Sequence, residues 1–340
     1  MLKYVLKRIV LMLFTFFVIT TICFLLIKML PQEMPTDKNL SAQIQARWEA
    51  LGYNKPLLVQ YGIYLKNIIT KWDFGTSWYL ERMKPVTEVM GKRLLPTVLV
   101  NFYSLIISIP LGILLGIIAA IRKNRWEDQV ISVLIILFVS VPSYVYAFIV
   151  QYLFYSKWHI VDKPTILALD DAGGSYLTWA MFKSMIPAIV SLSFGEIAGL
   201  CRFTRAELTE TLTSDYMLLA RTKGLTRSQA TIRHAMRNSM VPVFPMILGP
   251  QKSPFRGPRP EPILPMIISS FIGILGGSMI IEQIFAIPGV GELYIKSIQQ
   301  LDYDVFMLDS IFYTFVGLLA GIVVDISYGF IDPRIRMGER

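Results

Sequence analysis

Residues 98–154 read VLVNFYSLIISIPLGILLGIIAAIRKNRWEDQVISVLIILFVSVPSYVYAFIVQYLF, two long apolar runs separated by a short basic segment. An α-helix needs about 20 apolar residues to cross the hydrocarbon core of a bilayer. Only a helix satisfies its own backbone hydrogen bonds in lipid, so both runs are expected to be helical. Gly112 and Gly116 suit close helix packing, and Pro142 suits a kink. The stretch therefore predicts two membrane-spanning helices joined by a short turn.

The whole chain has the same character. Of its 340 residues, 54% are hydrophobic and 17% charged, and the mean hydropathy is +0.53, which a soluble domain rarely reaches because its surface must be polar. The first apolar run is longer than the core of a signal peptide, so we expect a retained span. The prediction is an all-α integral membrane protein with six transmembrane helices, at about 9–30, 98–121, 129–154, 181–200, 263–282 and 305–331.

Lysine and arginine are unevenly distributed among the connecting segments. They are concentrated in 122–128, in 201–240 and in the tail after the last span, whereas 155–180 and 283–304 carry few. The positive-inside rule then places both termini in the cytoplasm. Membrane topology explains the net charge of +9 better than nucleic-acid binding does.

The organisation expected is an N-terminal tail and first span (1–30), an extracytoplasmic module (31–97) and a core of five spans (98–340). In the module, apolar residues at helical spacing follow Pro56, and aromatic residues surround Gly75. Such a module could be a packed cap over the spans or a docking surface for an extracytoplasmic partner. The apolar set is Leu57, Leu58, Tyr61, Tyr64, Leu65 and Ile68.

The sequence lacks the residues that several kinds of functional site would require. Two cysteines and two scattered histidines indicate neither a disulfide framework nor a metal site. The chain has no GxxxxGK[ST] phosphate loop, so it is not expected to hydrolyse ATP. An intramembrane enzyme would need an HExxH motif or paired aspartates within its spans, and the sequence contains neither.

Residues 201–240 form a basic segment with helical character, CRFTRAELTETLTSDYMLLARTKGLTRSQATIRHAMRNSM. Good helix formers run from Arg205 to Ala220, and Gly224 breaks the pattern, because a residue without a side chain makes a sharp turn at little cost. Thr226 followed by Gln229 predicts a capping box that starts a second helix. The segment could be a lever inserted into another protein or a basic loop lying on anionic lipid.

These residues resemble the cytoplasmic coupling loop of binding-protein-dependent ABC importer permeases of the oligopeptide/dipeptide/nickel family. The stretches that carry the resemblance are RFTRAELTETLTSDYMLLARTKGL and RHAMRNSMVPV, with RLLPT (93–97), IEQIFAIPGVGEL (281–293) and DPRIR (332–336). LGYNKPLLVQY (51–61) and DFGTSW (73–78) resemble the B-type member of the permease pair.

The resemblance implies the fold of an ABC type I importer permease in a bacterial cell membrane. It also implies a homologous second permease, two ATPase subunits that bind ATP and magnesium, and an extracytoplasmic binding protein, while this chain itself needs no cofactor. The glutamate that names the loop is replaced by Leu218 and Leu219. The coupling residues carried over are Asp215, Tyr216, Ala220, Arg221, Lys223, Gly224, His234, Arg237 and Asn238.

Some features depart from that pattern or stand apart from it. A proline-rich stretch at 249–262 resembles an insertion before the fifth span, either a loop beside the ATPase or a peculiarity of this chain. Glu196 lies within the fourth span, where it could line the substrate path, pair with Arg202 or reach the interface. Asp325 in the last span is a second candidate for the path, and Glu282 is expected to be an unpaired acid at the outer membrane edge.

The resemblance favours oligopeptides as the substrate, delivered by the binding protein. Importers of dipeptides, nickel or glutathione share the same architecture and remain alternatives. A channel or secondary transporter working alone would be expected to show inverted repeats and charged residues in broken helices. The single long basic segment at 201–240 argues against that class.

Overall fold

The fold is known from a computed structural model, which describes residues 2–30, 54–231 and 278–331 together with isolated positions at 42, 45, 46, 49, 52 and 235. Most of the predicted fifth span at 263–282, the proline-rich stretch, His234, Arg237 and Asn238 lie outside the described residues. The helices are α1 (Leu2–Lys28), α2 (Leu57–Lys71), α3 (Val86–Ile121), α4 (Trp126–Ser140), α5 (Ser143–Gln151), α6 (Trp179–Leu212), α7 (Asp215–Thr222), α8 (Arg227–Ala230), α9 (Met279–Ile284), α10 (Val290–Gln299) and α11 (Tyr303–Ile331).

Four of these helices are long and apolar enough to cross a membrane: α1, α3, α6 and α11. They correspond to the predicted spans at 9–30, 98–121, 181–200 and 305–331. The apolar length located the spans but not the ends of the helices. Helix α3 begins at Val86 and α6 continues to Leu212, so both helices extend well beyond their apolar runs.

The predicted span at 129–154 is not one straight helix. The chain bends by 104° between α4 and α5, at Val141 and Pro142. Helix α5 continues into a π-helical turn, Tyr152–Lys157. Proline lacks the N–H that a continuing helix would need, and it drives the preceding residue to extended backbone. Val141 accordingly has φ −83° and ψ 126°.

Helices α3 and α6 form the most extensive helix pair among the described elements. Their backbones approach closely at Gly112 and Gly116, as expected. A β-carbon at Gly116 would lie 2.5 Å from Cβ of Thr204, so only glycine fits there. Ser104 and Ser193 share a buried hydrogen bond of 3.2 Å across the same interface. Helices α4, α5, α10 and α11 pack on one or the other member of this pair, whereas α1 packs on α11 and α2.

The helix predicted after Pro56 is present as α2, but its packed side begins later than the spacing suggested. Tyr61 is buried against Phe24 of α1, with 5.1 Å between ring centroids, and its hydroxyl lies 2.7 Å from that of Thr21. Leu58 is 78% exposed, so it is not part of the stripe. The all-α prediction also missed a small antiparallel hairpin, β1 (Thr76–Ser77) with β2 (Lys84–Pro85).

Candidate functional site

The segment after residue 200 begins as an extension of span helix α6 rather than as a separate helix. The helix predicted over Arg205 to Ala220 is therefore wrong in its continuity: α6 ends at Leu212 and α7 starts at Asp215. Between them, Ser214 donates a 2.6 Å hydrogen bond from its hydroxyl to the carbonyl of Thr211. Such side-chain bonds to nearby carbonyls compete with the helical ladder and favour a break.

The turn predicted at Gly224 is present. Gly224 has φ +88°, and the Leu225 N–H reaches back to the carbonyl of Ala220 at 3.4 Å, the pattern of a Schellman C-cap. The capping box is confirmed as well. The Gln229 side chain accepts from the Thr226 N–H at 3.1 Å, and the Thr226 hydroxyl accepts from the Gln229 N–H at 3.3 Å.

One face of α7 packs inward against a small apolar cluster. Met217 and Ala220 of α7 lie with Leu208 of α6 and Ala120 at the end of α3. Ala230 and Ala235, which are also buried, complete it. The small side chain of Ala220 therefore has a structural reason, because it lies where α7 approaches α6 and α3.

The opposite face of α7 is exposed. Leu218 and Leu219 are 64% and 56% exposed, and Asp215 and Lys223 are exposed at the two ends of the helix. The side chains of Tyr216 and Arg221 lie outside the described residues. Two exposed leucines flanked by charges form a surface suited to contact with another protein.

A bidentate ion pair holds the start of the 201–240 segment. It was not predicted from the sequence. The Arg205 guanidinium donates to both carboxylate oxygens of Asp128 at 2.6 and 2.9 Å, and Asp128 also accepts from the Asn124 N–H at 2.9 Å. Asp128 is 3% exposed. Arg205 and Asp128 are 77 residues apart, so no local pattern could reveal the contact. The pair ties α6 to the start of α4.

Glu196 and Asp325 are the two acids predicted for the substrate path. Glu196 is exposed, and no hydrogen bond or ion pair joins it to another described residue, Arg202 included. Asp325 lies on α11, but its side chain is outside the described residues.

Glu282 is not the unpaired surface acid that was expected. It is 2% exposed, and its carboxylate accepts from the Thr97 hydroxyl at 2.9 Å and from the Glu292 N–H at 3.0 Å. Thr97 in turn accepts from the Val290 N–H at 2.9 Å. A β-carbon at Gly289 would collide with Glu282 and Thr97, which explains this glycine. The prediction failed because hydropathy places a residue along the membrane normal but does not identify its neighbours.

Further polar contacts link the region around Glu282 to the hairpin. Arg93 lies 3.2 Å from Glu292 and 3.6 Å from Glu81. The Lys84 ammonium, hydrogen-bonded to Glu81 at 2.8 Å, holds the pKa of that carboxyl below its ordinary value. One oxygen of Asp302 accepts from the Ser77 hydroxyl at 2.7 Å and from three backbone N–H groups at 3.1–3.2 Å, those of Trp78, Tyr79 and Leu80. Three of the stretches that carried the resemblance, around 73–78, 93–97 and 281–293, therefore meet in one region of the fold.

Comparison with known families identifies the kind of protein that has these spans and these stretches of sequence. The chain matches the family described as "Binding-protein-dependent transport system inner membrane component" over residues 112–248 and 261–337. Residues 1–81 match the N-terminal region of the same kind of membrane component. The chain belongs to this family. The match omits 249–260, within the stretch that resembled an insertion.

Named relatives of the permease agree along its whole length. It is 34% identical to the dipeptide transport system permease protein DppB of Lactococcus lactis, over 99% of this chain and all of that protein. It is 32% identical to the dipeptide permease protein DppB of Bacillus subtilis, over all of both chains. Identity to the glutathione transport system permease protein GsiC of Escherichia coli is 30%, over 99% of both.

The permease is thus a multi-pass membrane component of an ABC importer. Such importers combine permease subunits with ATPases and a substrate-binding protein, so the chemistry of ATP hydrolysis belongs to partner subunits. No group of histidine, cysteine and acidic side chains in the described part of the chain could hold a metal ion.

Proposed function

We propose that the permease forms half of a peptide pathway across the membrane and that α7 transmits ATP-driven movement to it from the ATPase subunits. The observation that carries this proposal is the exposed apolar face of α7, held on an extension of a span helix. Leu218 and Leu219 would enter an ATPase groove, with Asp215 and Lys223 at its rim. ATP and magnesium would be bound there by the ATPase and not by this chain.

The packing of α6 supports a rigid transmission of force. Helix α7 is fixed to α6 and α3 through the cluster around Leu208 and Ala220, and α6 is fixed to α4 by the pair Arg205–Asp128. Closure of the ATPase pair on ATP would therefore move α7, α6 and α3 as one body. Rigid-body movement of packed elements is an established means of coupling distant sites.

Peptides are the substrates proposed. The sequence resemblance favours oligopeptides, and the relatives named above are described as dipeptide and glutathione permeases. We propose dipeptides as the first substrates to test, then glutathione, longer peptides and nickel. In this proposal membrane lipid surrounds the spans, and both termini and α7 lie on the cytoplasmic side, which the distribution of lysine and arginine supports.

The test of the coupling surface is a double substitution on the exposed face of α7. In a complex reconstituted with its partner permease, ATPases and binding protein, Leu218→Ser with Leu219→Ser should reduce dipeptide-stimulated ATP hydrolysis about tenfold or more. Full burial of one leucine contributes about 1.5–3 kcal/mol, and every 1.4 kcal/mol is about tenfold in affinity. Leu58→Ser, at an exposed position on α2, is the matched control.

Two outcomes would contradict this role of α7. Unchanged stimulation and uptake in the double variant would place the ATPase contact elsewhere. If the loss appeared only in vesicles with anionic lipid and vanished in neutral vesicles, the segment would be a lipid-binding loop instead. Subunit association is measured in parallel by co-purification, so that loss of assembly is distinguished from loss of coupling.

A further inference from the structure

Helix α6 is the most enclosed of the four span helices, and Glu196 marks the point where its packing opens. Of residues 181–201, all within the described part of the chain, only Glu196 is exposed. The described neighbours that enclose α6 are chiefly α3, α4 and α5, with α9 contacting it as well. A carboxylate facing hydrocarbon is costly, and charged residues in spans usually face the interior of a bundle or a water-filled cavity. The exposed side of Glu196 therefore indicates a polar space beside α6.

Within the described residues, this carboxylate is left for a ligand from outside the chain. No hydrogen bond or ion pair to it is formed by any described side chain, and Arg202, the nearest basic residue along α6, is itself exposed. The buried acid Asp128 shows the contrast, since both of its oxygens are held by Arg205. Glu196 has no such structural use.

The surroundings of Glu196 resemble the wall of a binding cavity. The break between α4 and α5 lies next to α6, where Phe138 stacks on Phe194 at 4.5 Å and Tyr146 meets the same ring edge-on at 5.5 Å. The Tyr146 hydroxyl would lie 3.6 Å from a β-carbon on Gly195, the residue before Glu196. Broken helices at membrane depth occur where they line protein-enclosed or water-filled space.

We propose that Glu196 binds the free ammonium group of a peptide in transit, with the ring of Tyr146 beside it. The inference rests on the proposed function, since dipeptides and glutathione both carry such a group. An ammonium offers three donors and an ionised carboxylate only acceptors, so the pair forms charge-assisted hydrogen bonds.

Accessibility is tested first, in the full complex in phosphatidylcholine vesicles. Glu196→Cys is made in a chain in which Cys23 and Cys201 are replaced by alanine, and it is treated with a membrane-impermeant cationic thiol reagent. We expect labelling that alanyl-alanine, presented with the binding protein, slows. Val133→Cys, exposed on the apolar helix α4, is the control and should resist the reagent. Failure of Glu196→Cys to react, or labelling that peptide does not slow, would overturn the proposal.

Recognition of the ammonium group is tested with a matched pair of substrates, alanyl-alanine and propionyl-alanine, which differ only in that group. The ratio of their uptake rates should fall about tenfold in Glu196→Gln and be retained in Glu196→Asp, since a charged hydrogen bond contributes about that factor. The binding protein is the same throughout, so a changed ratio belongs to the permease.

The remaining outcomes separate this inference from the proposed function. An equal loss for both substrates in Glu196→Gln would mean a structural role, and an unchanged ratio would mean none in recognition; either overturns the proposal. A wild-type complex that carries no peptide would instead contradict the proposed function itself.

Discussion

At the scale of single residues, Gly224 is required by the backbone conformation of its turn and not by the space around it. A β-carbon there would meet no atom within 4 Å, so space is available, but φ is +88°. The cost of a larger residue at this position is therefore backbone strain alone, and this strain is greatest for β-branched residues. Asparagine tolerates this region better than other residues with a side chain.

Gly224→Val should consequently weaken the end of α7 by roughly 1–2 kcal/mol and lower dipeptide-stimulated ATP hydrolysis, whereas Gly224→Asn should retain most of it. ATPase assays on the reconstituted complex, with co-purification to monitor assembly, make the comparison. Equal activity of the two variants would show that the turn does not need its left-handed conformation for coupling.

Asp302 is a second residue with a specific structural role, because its carboxylate anchors the β1–β2 hairpin. A single carboxylate oxygen accepts four hydrogen bonds from residues 77–80, while its other oxygen accepts none within the described residues. Asparagine can keep the accepting oxygen and place its amide nitrogen at the unused position. Alanine leaves four donors without their acceptor.

Asp302→Ala should lower the free energy of unfolding by about 3 kcal/mol and Asp302→Asn by clearly less, since hydrogen bonds to charged groups contribute about 1.5–3 kcal/mol. Thermal unfolding in detergent measures both variants. Cleavage of the 72–85 region by added protease should increase in Asp302→Ala. Similar stability of the two variants would mean that the accepting oxygen does not hold the hairpin.

At the scale of elements, the pair Arg205–Asp128 ties α6 to the start of α4. Asp128 is almost wholly buried, whereas the Arg205 side chain is 33% exposed, so solvent screens part of the interaction. Removing the arginine leaves a buried carboxylate without its cationic partner, with the Asn124 N–H still donating to it, and this costs more than the pair itself contributes.

Arg205→Ala should therefore cost roughly 2 kcal/mol of stability and reduce uptake more than it reduces ATP binding by the complex. Arg202→Ala, an exposed position on the same helix, is the matched control and should have little effect. Adding Asp128→Ala to Arg205→Ala should restore stability, because the buried charge is gone, but not coupling. Coupling that returned with stability would show that the ion pair has no role in transmission.

At the scale of the whole molecule, the α3–α6 pair connects two regions that the sequence separates. One end carries the exposed face of α7, and the other contains Thr97 of α3, whose hydroxyl donates to Glu282. The close approach at Gly112 and Gly116 makes α3 and α6 a single unit. Movement of α7 would therefore reach the region around Thr97 and Glu282 through this pair.

The family match also predicts which part of the molecule is dispensable. Because the match stops at 248 and resumes at 261, a permease from which 249–260 is deleted should still assemble and take up dipeptide. Uptake in vesicles and co-purification with the ATPases measure this. Loss of uptake with intact assembly would mean that the segment takes part in coupling in this chain.

The sequence by itself determined the features that are stabilised by interactions between residues close together in the chain. Apolar length located α1, α3, α6 and α11, because about 20 apolar residues in a helix are sufficient to define a span. The turn at Gly224 and the capping box at Thr226 were predictable for the same reason, since backbone conformation and caps depend on neighbouring residues. The motif resemblance identified the family, which the comparisons then confirmed.

Only the tertiary structure decided which groups meet. The partners of Asp128, Glu282 and Asp302 lie far away in the chain, and hydropathy assigned Glu282 to an exposed position because it ignores such partners. The angle between α4 and α5, the division of α7 into packed and exposed faces and the isolation of Glu196 likewise follow from packing. Contacts between distant segments depend on how all the helices fit together, and no local pattern encodes that.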